Sequence, residues 1–243
     1  MILNPPKRVT REFLDTPGQD PDELWGLLQD IRRTNTRFGG RRLILHYLTQ
    51  FVPRIQARPL SLIDVATASA DIPRAIADWA RGQRLEVRIT AIDISEEILA
   101  LARRDVAAYP EITLIRANAL ALPYQDRSFH IAISGLALHH FTFDEATRVL
   151  QEIARVSRCG FVVNDIVRSW GAYVGAWLDT RLLSRNRLAR HDGPLSVLRS
   201  FTPGEFRALV TTAGVNGVQI HRHPVFRIAL VQWPALRAAE GPP

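Results

Sequence analysis

Acidic, amide and imidazole side chains fall at four places in this 243-residue chain where an apolar run has just ended. Asp64 sits in Leu62-Ile63-Asp64-Val65 and is followed by Ala66-Thr67-Ala68-Ser69-Ala70, Asp93 ends Ala91-Ile92-Asp93, Asn118-Ala119 follows Ile115-Arg116, and His139-His140 follows Leu138. A carboxylate at the carboxyl end of a strand can accept both hydroxyls of a ribose, so Asp93 is expected to hold a nucleoside. The following helix could use Asp93 as its N-cap instead, a need that Ser95 reduces. An imidazole titrates near neutral pH and suits a general base, so His139, with His140 as its substitute, is expected to take a proton from a substrate; a packed or capping histidine is the plain alternative. His221 and His223 read as one face of an edge strand, and His-x-His alone does not make a metal site, so no metal is expected.

A second group lies further along. Trp170, Tyr173 and Trp177 recur at helical spacing, and Arg181, Arg185 and Arg187 follow them. Such a stripe is either ordinary core or, in a lid, an apolar pocket with a cationic rim. A pocket of Trp170, Tyr173, Trp177, Arg181 and His191 would suit a phenolic, polyketide or isoprenoid-like acid.

The elements that must position these residues alternate in type. Residues 21–58 read as two helices broken at Gly39-Gly40. Then come a strand from Leu60 to Ala66, a helix from Ile72 to Arg81, a strand from Arg88 to Ile92, a helix from Ser95 to Ala108 and a strand from Ile112 to Arg116. A strand from His130 to Ser134, a helix from Thr142 to Arg158 and a strand from Gly160 to Asp165 continue the series. After an interruption at 166–200, Thr202 caps a helix from Pro203 to Ala213, and strands near Val218–His221 and Phe226–Gln232 close the chain. This rhythm predicts an α/β fold with a Rossmann-like, doubly wound, mostly parallel seven-stranded sheet. Residues 1–58 are expected to form a helical cap on the same unit, 59–237 the main domain with 166–200 as its lid, and 238–243 a loose tail; the first dozen residues also read as loose.

Composition narrows the function. With 47% hydrophobic and 23% charged residues, disordered, collagenous and disulfide-scaffold classes are excluded. A chain of this size buries roughly 70–75% of its unfolded surface and needs no staple. Cys159 is the only cysteine, which suits a reducing cytoplasm. The start MILNPPKRVTREF lacks an apolar leader run, and no stretch approaches the ~18 apolar residues of a membrane span, so a cytoplasmic protein without integral membrane contact is expected, as a monomer or homodimer. The net charge is +7, and one lysine, Lys7, stands among 31 basic residues. Arginine clusters at Arg32/Arg33, Arg41/Arg42 and Arg181–Arg190 could meet nucleic acid, yet no nucleic-acid motif accompanies them and a solvated face is expected.

The stretches 62–73, 91–94 and 116–120, together with LPYQDRSFHIAIS at 122–134 and LALHHF at 136–141, resemble the class I S-adenosylmethionine-dependent methyltransferases. The resemblance is to the small-molecule branch that includes the ubiquinone and menaquinone biosynthesis enzymes. It implies that Asp64, Ala66, Thr67 and Ala68 approach the methionine part of the cofactor, that Asp93 and Ile94 hold the ribose, that Asn118 and Ala119 face the adenine, and that Ser134 borders the site. Ala66, Ala68 and Ala70 stand where the family has glycines, and Asn118 where it has an acid. An alanine held at positive φ costs on the order of 1 kcal/mol. The implied activity is methylation of oxygen or carbon on a small molecule. The alternatives are a methyltransferase fold that binds a ligand without methyl transfer, and an RNA methyltransferase.

Overall fold

The computed structural model describes residues 4–234. Seven strands form one sheet: β1 (Leu60–Val65), β2 (Val87–Asp93), β3 (Ile112–Arg116), β4 (Phe129–Gly135), β5 (Ser157–Ile166), β6 (Val218–His223) and β7 (Arg227–Gln232). Their order is β3-β2-β1-β4-β5-β7-β6. The first five run parallel, and β7 inserts antiparallel between β5 and β6. The expected mostly parallel seven-stranded sheet is present. Strand order reverses between β1 and β4, and in open α/β sheets the crevice at such a point receives ligands.

Alternation along the strands builds two cores. Leu60 and Leu62 of β1, with Val87 and Ile89 of β2, pack on α2 (Gly40–Phe51) and α3 (Asp71–Gly82). Ile63 and Val65 point the other way, onto α5 (Phe143–Val156) and α8 (Pro203–Ala213). The helix starts follow from local chemistry. Thr142 and Thr202 each accept from the backbone three residues on, and Glu145 and Glu205 reach back to complete capping boxes. Asp20 caps α1 (Pro21–Arg37), and Ser95 accepts from the Ile98 amide to cap α4 (Glu96–Val106). Helix α5 stops at Val156, two residues short of the expected end, because Ser157 already pairs with Phe129 in the sheet.

The interruption after β5 is a helical pair, α6 (Trp170–Leu183) and α7 (Arg187–Arg199). It lies over the carboxyl ends of the strands, and Leu188 and Ala189 join Leu24, Leu27, Leu28, Ile98 and Leu101 in a third apolar cluster. The first dozen residues, expected to be loose, are seated from residue 5 onward. The Pro5 carbonyl accepts from Arg168, the Arg8 amide donates to Leu198, and Glu12 is 2% exposed. Long-range polar contacts hold this strap, and such contacts leave no apolar periodicity in the sequence. The expected tail at 238–243 lies outside the described residues. Among the described residues, no helix is long and apolar enough to cross a membrane.

Candidate functional site

A cavity of about 1100 Å³ opens at the carboxyl ends of β1, β2, β4 and β5, under α1, α6, α7 and the N-terminal strap. A single ligand usually occupies roughly 300–1,000 Å³, so there is room here for two molecules side by side. Asp64, Ala66, Thr67 and Ala68 line it from β1 and the loop after it, and Asp93 and Ile94 from the end of β2.

The loop after β1 repeats one backbone choice three times. Ala66, Ala68 and Ala70 have φ of 59°, 47° and 53°, all in the left-handed region that glycine adopts without cost. The loop therefore keeps the turn that glycines would give it and carries three methyl groups in strained backbone. What holds it is visible. The Ala68 amide donates to Asp93 Oδ2 at 3.0 Å, the Thr67 amide donates to the Ile92 carbonyl, and the Thr67 hydroxyl donates to Asp64 Oδ2 at 2.6 Å.

Both acids are buried. Burial lifts the Asp64 carboxyl to about 7; the Thr67 hydrogen bond opposes the rise, and the negative fields of Asp71 and Asp93 add to it. Burial also raises Asp93, against the backbone amides of Ser95 and Ala68 that donate to its two oxygens. Carboxylates that are costly to ionise where they stand favour a positive charge beside them. This end of the cavity fits a cationic ligand such as a sulfonium compound with a free ammonium group. Because Ser95 caps α4, Asp93 is left to brace the alanine loop and face the cavity.

On the opposite wall a short helical turn after β4 presents both histidines. His139 Nδ1 lies 2.7 Å from Asp165 Oδ1, and the His139 amide donates to Oδ2 at 3.1 Å. Burial raises Asp165, but the opposing pull of His139 prevails and leaves its carboxyl below the usual range. His140 Nδ1 lies 2.7 Å from Asp15 Oδ1. Burial depresses the His140 imidazole, yet the nearby Glu12 charge and the Asp15 hydrogen bond outweigh it and lift the group to about 9. Arg199 ties this corner together, donating to the carbonyls of His139 and His140 and to Asp15 Oδ2. In this frame a carboxylate orients each ring, His139 by Asp165 and His140 by Asp15; His139 is the one suited to proton transfer, while His140 is held as a cation.

Several expected residues are elsewhere. Ser134 is fully buried and donates to the Val65 carbonyl at 2.9 Å, tying β4 to β1 without reaching the cavity. Asn118 is exposed, its Oδ1 accepting from the Leu120 amide in its own turn, and Ala119 packs in the core beside α5. The expected pocket residues Trp170, Tyr173, Trp177, Arg181 and His191 do not line the cavity. Trp170 and Trp177 are 46% and 43% exposed, Tyr173 stands edge-on to Trp170, and the Arg181 guanidinium covers the Trp177 ring from outside. His191 lies tilted against Phe13 and pairs with Asp192. The cavity instead meets the small-residue face of α6, with Ala172, Ala176, Asp179 and Thr180. Close packing selects that face, since a Cβ on Gly193 of α7 would stand 2.6 Å from Thr180 Cγ2.

The residues missing from the sequence reading are Glu12, Asp15, Asp165, Arg199 and Arg227. Asp165 stands one residue before the end of β5, close to where Asp93 ends β2, so the same rule points to it. Arg227 is 3% exposed and lines the cavity; burial brings it down to about 10, and its Nη1 has no hydrogen-bond partner.

Residues 63–160 match a family model described as a methyltransferase domain. Among curated relatives, demethylmenaquinone methyltransferase of Chlorobaculum tepidum is 27% identical over 113 residues, 45% of this chain and 43% of that protein. The ubiquinone/menaquinone biosynthesis C-methyltransferase UbiE of Rickettsia akari is 28% identical over 134 residues, covering 52% and 53%. The match thus spans about half the length of these relatives. A SAM-dependent methyltransferase from Aquifex aeolicus superposes with a TM-score of 0.62 at 13% identity, over 90% of this chain and 100% of that one. A putative O-methyltransferase from Nostoc punctiforme gives 0.63 at 15% identity, over 94% and 64%. These two likenesses show the fold.

Proposed function

We propose, from the match of residues 63–160 to a methyltransferase-domain model, that this chain is an S-adenosylmethionine-dependent methyltransferase acting on a small, largely apolar molecule at oxygen or carbon. The observation that carries this reading is the pairing, across one cavity, of two buried acids at strand ends with an imidazole held by Asp165. S-adenosylmethionine supplies a methyl group on a positively charged sulfur. Asp93 is assigned to the ribose hydroxyls, for which its carboxylate retains accepting capacity beyond the two backbone amides. Asp64 and the alanine loop are assigned to the methionine end.

His139 takes the acceptor's proton. Its Nδ1 hydrogen points to Asp165, which leaves the Nε2 lone pair toward the cavity and steadies the imidazolium once the proton has arrived. A phenol or enol with a pKa near 10 is mostly protonated at neutral pH, so a positioned base contributes roughly 10²- to 10⁴-fold. Leu24, Leu27, Ile31, Phe38 and Phe226 give the acceptor an apolar wall. Ion pairs from Arg32, Arg33, Arg41 and Arg187 to nearby carboxylates support a small molecule over an RNA backbone.

Calorimetric titration of the full chain with S-adenosylmethionine and with S-adenosylhomocysteine tests the reading. Saturable one-to-one heat is expected. No heat and no thermal shift at millimolar ligand overturns it, and binding without transfer to any phenolic or polyketide acceptor favours the ligand-binding alternative.

A further inference from the structure

Glu12, His139 and His140 each offer a ligand atom on the cavity wall, and the three atoms lie within 4.8 Å of one another. They come from distant parts of the chain, the strap and the turn after β4. Each imidazole is tethered at Nδ1 by its own carboxylate, Asp165 for His139 and Asp15 for His140, both at 2.7 Å. That arrangement fixes the tautomer, orients the ring and leaves Nε2 as the free donor, as outer carboxylates do for metal-bound histidines. Glu12 is 2% exposed; its Oε2 accepts from the Ser196 hydroxyl, while Oε1 is buried without any hydrogen-bond partner, 4.0 Å from His139 Nε2.

Arg199 does not satisfy that oxygen. Its Nε stands 3.8 Å from Glu12 Oε1 but donates to the His139 carbonyl, and its terminal nitrogens serve Thr10, Asp15 and His140. With His140 neutral, which an incoming cation achieves by displacing its proton, two nitrogen lone pairs and one on a carboxylate face each other, and three carboxylates, Glu12, Asp15 and Asp165, surround them, with Arg199 among them and Arg227 near Asp165. A buried carboxylate oxygen without a hydrogen bond is costly, and a bound cation would meet it directly where the protonated His140 ring now offsets it only through space. Ligands at bond lengths near 2.1 Å can be at most about 4.2 Å apart, so side-chain movements of under an ångström close the set on one ion.

We propose that Glu12, His139 and His140 bind a divalent transition-metal cation of the zinc class, with the open coordination positions toward the cavity. Two imidazoles and a carboxylate suit such an ion better than magnesium or calcium, which prefer all-oxygen sets. The site stands on these side chains alone and is independent of the methyl-transfer reading. Its consequence for that reading is direct: a bound ion occupies Nε2 of His139, so metal and free base exclude each other.

The test is zinc titration of the chelator-stripped full chain, without S-adenosylmethionine, in competition with a chromophoric chelator. One equivalent bound at micromolar or tighter affinity is expected. Glu12→Gln and His139→Ala should each weaken it at least tenfold, Asp165→Asn by roughly 10- to 100-fold through the outer shell, and His223→Ala not at all. Cobalt(II) should give visible ligand-field bands in the wild type that Glu12→Gln changes. Far-ultraviolet dichroism and melting confirm that each variant is folded; should His139→Ala fail to fold, Glu12→Gln and the cobalt spectrum decide. No binding at high micromolar zinc overturns the proposal, as does unchanged binding in folded Glu12→Gln, which would put the ion elsewhere, for instance near His46, His221 and His223.

Discussion

Asp165 holds His139 at two points, one carboxylate oxygen on the ring Nδ1 at 2.7 Å and the other on the backbone amide at 3.1 Å. The ring can neither flip nor exchange tautomer without breaking a buried charge-assisted bond. His139→Ala should therefore lower turnover at neutral pH by at least about tenfold while cofactor affinity stays within about twofold. Raising the pH toward the acceptor's own pKa should restore part of the rate. Asp165→Asn should slow turnover too, with the fold kept, since it supports the wrong tautomer. Steady-state rates against pH, beside cofactor titrations, separate these outcomes from simple loss of folding.

Asp93 joins the alanine loop to the cavity. Replacing it by Ala removes the acceptor for the Ala68 amide and the group assigned to the ribose. A loss of roughly 1–3 kcal/mol in S-adenosylhomocysteine affinity is expected, measured by calorimetry. An Asp93→Ala variant that binds as tightly as wild type would end the assignment.

The three left-handed alanines invite the reverse experiment. Ala66→Gly and Ala68→Gly should each relieve roughly 1–2 kcal/mol of backbone strain, partly offset by glycine's extra freedom in the unfolded chain. The expected net gain is a few tenths to about 1 kcal/mol in urea unfolding. Both residues line the cavity, so the glycine variants should also bind cofactor more tightly, by removing a methyl from its wall.

How much of this was legible depends on the kind of force involved. Strands and helices between 60 and 165 showed in the sequence because apolar periodicity and capping residues agree there, as at Thr142 with Glu145. The acids Asp64 and Asp93 and the imidazole of His139 were found by one rule, position after a strand. Helix α6 defeated that reading: Trp170, Val174, Trp177, Leu178 and Leu182 leave no polar face to mark the outside, so packing against α7 decides which side turns inward. Glu12 and Asp15 were illegible for another reason. Their segment has no periodicity, and bonds to residues more than 120 positions away seat it.

Asp64 makes stability depend on pH in a stated direction. Its folded carboxyl titrates at about 7 against 3.8 for the free group, so the native state holds its proton more firmly than the unfolded chain does. Its contribution is whole below about pH 4, declines as pH rises and is gone above about 7. Each pH unit of difference is worth about 1.4 kcal/mol, so the decline is on the order of 4 kcal/mol at most. Asp64→Asn keeps an acceptor for the Thr67 hydroxyl and removes the titration. Urea melts at about pH 4.5 and about pH 8 should show the variant gaining on wild type at the higher pH; equal differences at both would refute the burial argument.

The strap has a consequence for the order of assembly. Asp192 accepts from the amides of Phe13 and Leu14, and Asp15 accepts from Arg199, across more than 170 positions of chain. During synthesis these early residues emerge long before their partners in α7 exist, and they wait undocked while the sheet forms behind them. Contacts so remote in sequence are the slowest to close. The first part of the site to leave the ribosome is thus the last to be seated, and a nascent chain stalled between residues 166 and 199 has the acids of β1 and β2 and an imidazole, but an open wall where Glu12 and Asp15 belong.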